Sequence, residues 1–286
     1  MEKCNLCPRK CNIDRSKNVG FCGVGNDIYI AKVMLHHFEE PCISGSLQAR
    51  GSGAIFFAGC NLKCVFCQNK KISRGAYGTI HTPKTLANIF KELESQGAYN
   101  INLVTPSHYT RQIIEALDIY KPNIPIVWNS SGYESYETIL SLKGYVDIFL
   151  VDFKYYSDTL ALKYSKAQDY LSNIQKVLPL MRNIQPKDTF KDGLMQKGII
   201  VRHLLLPTHI EDSYNVLNEI KRLIGYPILS LMSQYTPMEE YLYKELNQHI
   251  RPLEYKLLIK RALSLGFDKI YTQELDSASS VYTPDF

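Results

Sequence analysis

Three closely spaced cysteines follow a short apolar run, and they constrain this chain more than any other feature. The run Ala54-Ile55-Phe56-Phe57-Ala58 predicts a buried strand, and the cysteines lie in the loop that would follow it. They are Cys60, Cys64 and Cys67, at a Cys-x3-Cys-x2-Cys spacing. Cysteine sulfurs are the usual ligands of iron–sulfur cubes, and no fourth cysteine follows at ferredoxin spacing. The pattern therefore indicates a four-iron cluster with one iron left open for another ligand.

Two other interpretations of these cysteines remain open from the residues alone. They could be buried structural cysteines, or they could form a zinc site that a distant residue completes.

The stretch from Gly59 to Asn69, placed after a first strand, resembles the signature of the radical S-adenosylmethionine (radical SAM) enzymes, in particular those similar to pyruvate formate-lyase-activating enzymes. The resemblance implies that Cys60, Cys64 and Cys67 hold a 4Fe-4S cluster whose open iron binds S-adenosylmethionine, with Phe66 near the adenine. It also implies an oxidoreductase that cleaves this cofactor reductively and takes hydrogen from a substrate through a 5′-deoxyadenosyl radical.

A second cysteine group occupies the N-terminal segment, residues 1–27. Its members are Cys4, Cys7, Cys11 and Cys22, separated by turn-forming residues. The segment is too short and polar for its own hydrophobic core, so four thiolates around a metal would supply the missing stability. Zinc and a second iron–sulfur cluster both accept such ligands, and the metal stays open.

Composition fits an α/β protein with a full core. Apolar residues make up 45% of the 286, and the net charge of +5 comes without a long basic run, so nucleic acid is not expected as a partner. The N-terminus shows no signal-peptide pattern, no apolar stretch approaches the length of a membrane span, and eight cysteines read as metal ligands. We therefore expect this protein to be located in a reducing cytoplasm.

Strand and helix patterns alternate from the cysteine motif onward, which predicts parallel pairing. Six such units are similar to the partial (βα)6 TIM-like barrel of the radical SAM family. The predicted organisation is a Cys-rich metal-binding segment at 1–27, a strand and linker at 28–52, the barrel at 53–240, and a C-terminal helix and strand packed on it at 241–286. A polar loop is predicted at 185–197, and a final strand at 269–274.

Polar residues cluster where the predicted strands end, which is where barrel enzymes place their functional groups. The family resemblance assigns these positions to the cofactor; they are Thr105, Ser107, Asn129, Ser131, Asp152, Lys154, Arg202 and Gln234. Many family members carry a Gly-Gly-Glu run after the second strand, and this chain has Thr105-Pro106-Ser107 instead.

Each of these residues also has a purely structural interpretation. Asn129 and Ser131 could form a capping turn, Asp152 and Lys154 a strand-end salt bridge, and Gln234 a packed polar group. Arg202 is costly inside an apolar strand unless it is paired, either with an anionic cofactor group or with a neighbouring acid such as Asp152. No catalytic residue can be named, and His108 is either catalytic or a surface residue.

The resemblance implies two kinds of partner. Flavodoxin or ferredoxin would donate the electron, and the substrate would be a glycine in a glycyl-radical enzyme, another peptide, or a small metabolite. Basic residues surround the motif, namely Lys63, Lys70, Lys71 and Arg74. They would steer an acidic donor, or they would offset the negative charge of the cluster or face solvent. A non-catalytic iron–sulfur electron-transfer or metal-storage protein is the alternative from another class.

Overall fold

The structure, a computed structural model, describes residues 3–46, 50–273 and 286. Its strands are β1 (Ile28–His36), β2 (Ser52–Phe57), β3 (Thr79–His81), β4 (Ile101–Val104), β5 (Ile126–Ser130), β6 (Ile148–Asp152), β7 (Thr189–Lys191), β8 (Leu194–Leu204), β9 (Ile228–Met232) and β10 (Ile270–Thr272). Its helices are α1 (Pro41–Ser44), α2 (Lys70–Ser73), α3 (Pro83–Ser95), α4 (Thr110–Ile119), α5 (Tyr136–Ser141), α6 (Asp158–Ser165), α7 (Tyr170–Ile184), α8 (Ile210–Ile224) and α9 (Pro252–Ser264).

The strands form one main sheet in the order β10-β9-β8-β6-β5-β4-β2-β1-β3. Within this order, every pairing from β2 across to β10 is parallel, because each of these strands is followed by a crossover that returns the chain to the same end of the sheet. β7 is not part of this order and pairs only with β8. β1 runs antiparallel to both β2 and β3. The predicted α/β class and its series of βα units are confirmed, and β3 and β10 stand at the two ends of the described series.

Helix α3 shows how local sequence signals set the elements. Thr82 caps its N-terminus in a reciprocal capping box with Thr85, and Pro83 occupies the first turn, where its missing N–H costs nothing. One face of the helix buries Leu86 and Phe90 against the sheet. Within the described stretches, no helix is long and apolar enough to cross a bilayer.

The predicted polar loop at 185–197 was wrong. It contains β7 and the first part of β8, which pair as an antiparallel hairpin with Lys191 opposite Leu194. Asp192 and Gly193 connect them with φ values of 52° and 79°, the left-handed conformation that a two-residue hairpin turn requires. The Asp-Gly pair was the sequence signal for this hairpin.

The described segments near the two ends of the chain differ in secondary structure. The N-terminal segment contains no helix or strand among residues 3–27, and backbone bonds such as Cys4 N to Ile13 O (2.8 Å) hold it together. The final strand is β10, which is shorter than the predicted one and adds to β9. Glu274, which that prediction included, lies outside the described residues.

Candidate active site

The carboxyl ends of the parallel strands open onto a cavity of about 390 Å³. The three motif cysteines, Cys60, Cys64 and Cys67, line it together. Of the residues assigned to the cofactor from the sequence, the following line the same cavity: Phe66, Thr105, Asn129, Ser131, Asp152, Lys154, Arg202 and Gln234. Residues far apart in the chain therefore converge at one place, and their individual roles stay predictions.

Ser107 is the assigned residue that does not line this cavity. It is buried, and its Oγ donates to Glu134 Oε1 at 2.5 Å. Burial raises the pKa of Glu134 to about 7, although the hydrogen bond from Ser107 opposes the shift. Donation from Ser107 to the cofactor would require this bond to break, because the hydroxyl has one proton.

Two neighbours of Ser107 have distinct roles in the strand-end turn. Thr105 has a φ of 61°, which is unusual for a β-branched residue, and it directs this turn into the cavity. His108 is buried, its Nε2 is 2.8 Å from Ala58 O, and burial lowers its pKa to about 3. The surface interpretation of His108 was therefore wrong, because the ring is a neutral part of the packed interior.

Backbone hydrogen bonds hold the cysteine loop in place. Val65 N donates to Tyr164 O at 2.8 Å, and Lys63 N donates to Ser165 O at 3.1 Å, so the loop rests on the last turn of α6. On the other side, Cys60 N donates to Cys22 O at 3.2 Å. The loop is thus clamped between α6 and the N-terminal segment.

This second contact requires a glycine at position 59. Gly59 has a φ of 82°, and a Cβ there would lie 2.8 Å from Cys22 O. Any other residue would strain the backbone and push the two segments apart.

The cysteine sulfurs form a donor set that fits an iron–sulfur cluster. Burial raises the pKa of the Cys60 thiol to about 12, and repulsion from Cys64 adds to this shift. Burial also raises the pKa of Cys64, against the opposing charge of Lys154. Thiols in such surroundings ionise when a metal centre takes them as ligands. Three free, half-buried thiols on one loop, beside a cation, match the donor chemistry of a 4Fe-4S cluster.

Asp152 and Lys154 form the predicted ion pair, with Lys154 Nζ 2.5 Å from Asp152 Oδ2. Burial opposes the charge on Lys154, but Asp152 and the thiols of Cys64 and Cys67 outweigh it and hold the pKa of Lys154 above its ordinary value. Lys154 therefore remains a cation next to the sulfurs.

Arg202 is paired with neighbouring acids, as its structural interpretation had it, but these are not Asp152, the example named there. Its Nε donates to Glu40 Oε1 at 2.7 Å, and its Nη2 bonds both Glu40 and Glu39. The side chains are 5–11% exposed. Burial alone would raise the pKa of Glu40, but the charge and hydrogen bonds of Arg202 hold it below its ordinary value.

Glu39 also ties this pair to two strands of the barrel. Its Oε1 accepts hydrogen bonds from Asn102 Nδ2 at 2.8 Å and from Asn129 Nδ2 at 3.3 Å. Sequence reasoning missed that Glu39 and Glu40 line the cavity. The signal that could have predicted this pairing was the presence of two adjacent acids and of a lone arginine in an apolar strand.

Two aromatic and amide contacts close the remaining side of the cavity. The Phe66 ring packs edge-on against Tyr235, with 6.0 Å between centroids. The backbone oxygen of Gln234 accepts from Gln68 Nε2 at 3.2 Å, and Gln273 Nε2 donates to Gln234 Oε1 at 3.1 Å. These hydrogen bonds support the interpretation of Gln234 as a packed polar residue, although Gln234 also lines the cavity.

The N-terminal cysteines lie near one another, next to the loop that contains Cys60, Cys64 and Cys67. A Cβ on Gly20 would lie 3.4 Å from Cys22 Sγ and 3.6 Å from Cys11 Sγ. Burial raises the pKa of Cys7 to about 12, and the neighbouring Cys22 and Cys11 contribute to the shift. Across the described chain, no three His, Cys, Asp or Glu side chains are arranged to hold a single metal ion.

Comparisons with known proteins agree with this geometry. The radical SAM superfamily model matches residues 54–196, half of the chain. A protein of Methanocaldococcus jannaschii that is named only as uncharacterized is 31% identical over 275 residues, which are 93% of this chain and 74% of that protein.

Solved structures show the same fold. Streptococcus suis SuiB bound to S-adenosylmethionine is similar with a TM-score of 0.51 and 13% identity, over 77% of this chain and 49% of SuiB. This chain thus spans about half the length of SuiB, and the likeness concerns the fold alone. A domain of the pyruvate-formate lyase-activating enzyme from Bacteroides vulgatus aligns at 14% identity over 67% of this chain and 91% of the domain, but its TM-score of 0.38 is too low to carry an argument. On the family match and the Methanocaldococcus relative, the chain belongs to the radical SAM superfamily.

Proposed function

We propose that this protein is an enzyme that cleaves S-adenosylmethionine reductively and removes a hydrogen atom from a substrate. The observation that carries the proposal is the meeting of Cys60, Cys64 and Cys67 in one cavity with polar groups from the strand ends. When bound, the reduced cluster would supply one electron to S-adenosylmethionine, whose sulfonium C5′–S bond would break to give methionine and a 5′-deoxyadenosyl radical that takes a hydrogen atom from the substrate.

The chain's own residues would bind and orient these groups. Cys60, Cys64 and Cys67 would ligate three irons, and Phe66 would pack near the adenine. Asn129 and Ser131 face the cavity and would hydrogen-bond the ribose and carboxylate of the cofactor. Their short side chains end at a rigid parallel sheet, which favours precise positioning.

Asp152, Lys154 and Arg202 would act in different ways. The Asp152–Lys154 pair would keep a cation next to the cluster, because Lys154 lies beside Cys64 and Cys67. Arg202 has two carboxylate partners already, so its main role would be to hold Glu39 and Glu40 at the cavity wall.

The substrate we propose is a glycine of a glycyl-radical enzyme, with another peptide or a small metabolite as the second candidate. The open series of strands supports a peptide, because an incomplete barrel leaves room for a chain segment to enter from the side.

The direct test is anaerobic reconstitution followed by electron resonance and product analysis. Addition of S-adenosylmethionine should change the cluster signal, and the reduced protein should form 5′-deoxyadenosine. An electron-transfer or storage protein would carry a cluster without forming this product.

We further propose that Cys4, Cys7, Cys11 and Cys22, which are close but not arranged around a single ion in the described chain, draw together on a second metal centre, either zinc or an iron–sulfur cluster. Replacing all four by alanine should remove one centre, leave the first cluster in place and lower stability, since little else orders this segment. Elemental analysis for iron and zinc checks this. Cys42→Ala is the matched control, because Cys42 is a buried cysteine in α1 outside both groups. Equal metal content in the fourfold variant and in the wild type would contradict the proposed second metal centre.

The electron donor we propose is flavodoxin or ferredoxin, guided by Lys70 and Lys71. Both lysines are exposed on α2, directly after the catalytic loop. Lys63 and Arg74 are used differently, because they donate to backbone oxygens, Arg74 to Cys64 O at 2.7 Å. Exposed pairs such as the one between Lys70 and Glu239 are weak, so Lys70 can still attract a docking acid.

Reversing both charges, Lys70→Glu with Lys71→Glu, should slow reduction by flavodoxin and leave reduction by dithionite unchanged, because a small reductant needs no docking surface. Stopped-flow measurement of the reduction rate at rising salt checks this prediction. Salt screens the exposed charges, so the faster reduction of the wild type by flavodoxin should approach that of the variant. Lys84→Glu with Lys91→Glu on α3 is the matched control. Equal slowing with both reductants would mean that the two lysines support the loop instead.

A further inference from the structure

Ser165 touches a sulfur of the catalytic loop, although 101 residues of sequence separate it from Cys64. Its Oγ donates a hydrogen bond to Cys64 Sγ at 2.9 Å. Ser165 is fully buried and ends α6. Its hydroxyl therefore reaches one of the three proposed cluster ligands without competition from water.

Tyr155 holds the hydroxyl of Ser165 from the other side. Tyr155 OH and Ser165 Oγ are 2.7 Å apart, and Tyr155 is only 1% exposed. Because a thiolate has no proton to give, Ser165 donates to the sulfur and accepts from Tyr155. The two hydroxyls form a relay of donors that ends on Cys64 Sγ.

The backbone fixes the geometry of this relay. Lys63 N and Val65 N, on either side of Cys64, donate to Ser165 O and Tyr164 O. The serine and the cysteine therefore belong to one bonded unit, and the backbone bonds keep their side chains next to each other.

We propose that the Tyr155–Ser165 relay raises the reduction potential of the cluster through Cys64, which makes Ser165 a positioning residue for electron entry. The inference rests on the proposed function. An added electron increases the negative charge on the ligand sulfurs, so a donor aimed at one of them binds more strongly in the reduced state. Loss of the donor would leave the cluster harder to reduce.

The test is the midpoint potential of the reconstituted protein, from a redox titration followed by electron resonance. Ser165→Ala should move it to more negative values by about 59 mV, which is a tenfold change in a one-electron equilibrium. Tyr155→Phe should cause a smaller shift in the same direction, because the serine keeps its own proton. Ser165→Thr keeps a hydroxyl and should stay near the wild type.

Ser213→Ala is the matched control, since Ser213 is a buried serine bonded to His203 and not to a cysteine. Wild-type potentials in both Ser165→Ala and Tyr155→Phe would overturn the relay. If Ser165→Ala assembles no cluster, the Tyr155→Phe potential decides, and no shift there rejects the relay. A wild-type protein that holds a cluster but forms no 5′-deoxyadenosine contradicts the proposed function, whereas product formation with unshifted variant potentials contradicts the relay alone.

Discussion

Replacement of Cys64 by alanine is expected to abolish 5′-deoxyadenosine formation. Cys64 lies in the middle of the proposed ligand set, and its sulfur has neighbours that favour a charged form, namely Ser165 and Lys154. Loss of an outer partner of a metal site typically costs 10–100-fold, so loss of a ligand should cost more than about 100-fold. The measurement is chromatography of the products after anaerobic reduction with dithionite in excess S-adenosylmethionine.

The control for this experiment is Cys42→Ala, which should cleave at the wild-type rate because Cys42 is buried away from the proposed ligands. Unchanged product formation in Cys64→Ala would contradict the cluster assignment and, with it, the proposed function. Loss of activity in both variants would instead point to a general effect of removing a buried thiol.

The second large effect is expected at Arg202. Arg202→Met should destabilise the protein by about 3–5 kcal/mol, because it leaves the buried carboxylates of Glu39 and Glu40 without their cation. Urea denaturation of the reconstituted protein measures this as a lower transition midpoint. Lys70→Met is the matched control, since both side chains of its pair with Glu239 are 48% exposed, and such a surface pair should contribute little.

Two further measurements separate this electrostatic cause from a packing defect. The triple variant Glu39→Gln, Glu40→Gln, Arg202→Met should regain most of the lost stability, because no buried charge remains. The pH dependence should also differ from that of the wild type. Arg202 holds the pKa of Glu40 below its ordinary value, so the wild-type contribution is present at neutral pH and is lost as the pH falls through the folded value.

In Arg202→Met, burial alone acts on Glu40 and raises its pKa, so the contribution of Glu40 to folding stability changes with pH in the opposite direction. The folded variant then binds more protons than the unfolded chain, and it loses stability as the pH rises through the ordinary glutamate range. The deficit relative to the wild type should therefore shrink on mild acidification. A deficit that persists equally in the triple variant and at every pH would show that Arg202 acts through packing.

The parts of the fold that the sequence predicted have local signals. The apolar run at 54–58, the cysteine spacing after it and the periodic face of α3 each lie within a few residues, so one window of sequence contains all the information. The Asp192-Gly193 hairpin has an equally local signal, and it could have been predicted as well.

The contacts that sequence reasoning missed join distant parts of the chain. Arg202 meets Glu40 across 162 residues, and Ser165 meets Cys64 across 101. Burial of Arg202 required an acid, but nothing in the pattern distinguished Asp152 from Glu39 or Glu40. The course of the chain after the antiparallel β1 decides this, because Glu39 and Glu40 follow its last residue, His36.

Arg9 has a consequence for the order in which the protein is built during translation. Its guanidinium bonds Asn61 O at 2.8 Å, and also Ser165 O and Lys166 O, which lie 156 and 157 residues further along. These last bonds cannot form before residue 166 has been synthesised, which takes roughly 10–30 s at typical elongation rates of 5–20 residues per second. The N-terminal cysteines are among the first residues made, yet the Arg9 bonds to the end of α6 form only after residue 166 exists, and throughout that interval the segment lacks this support.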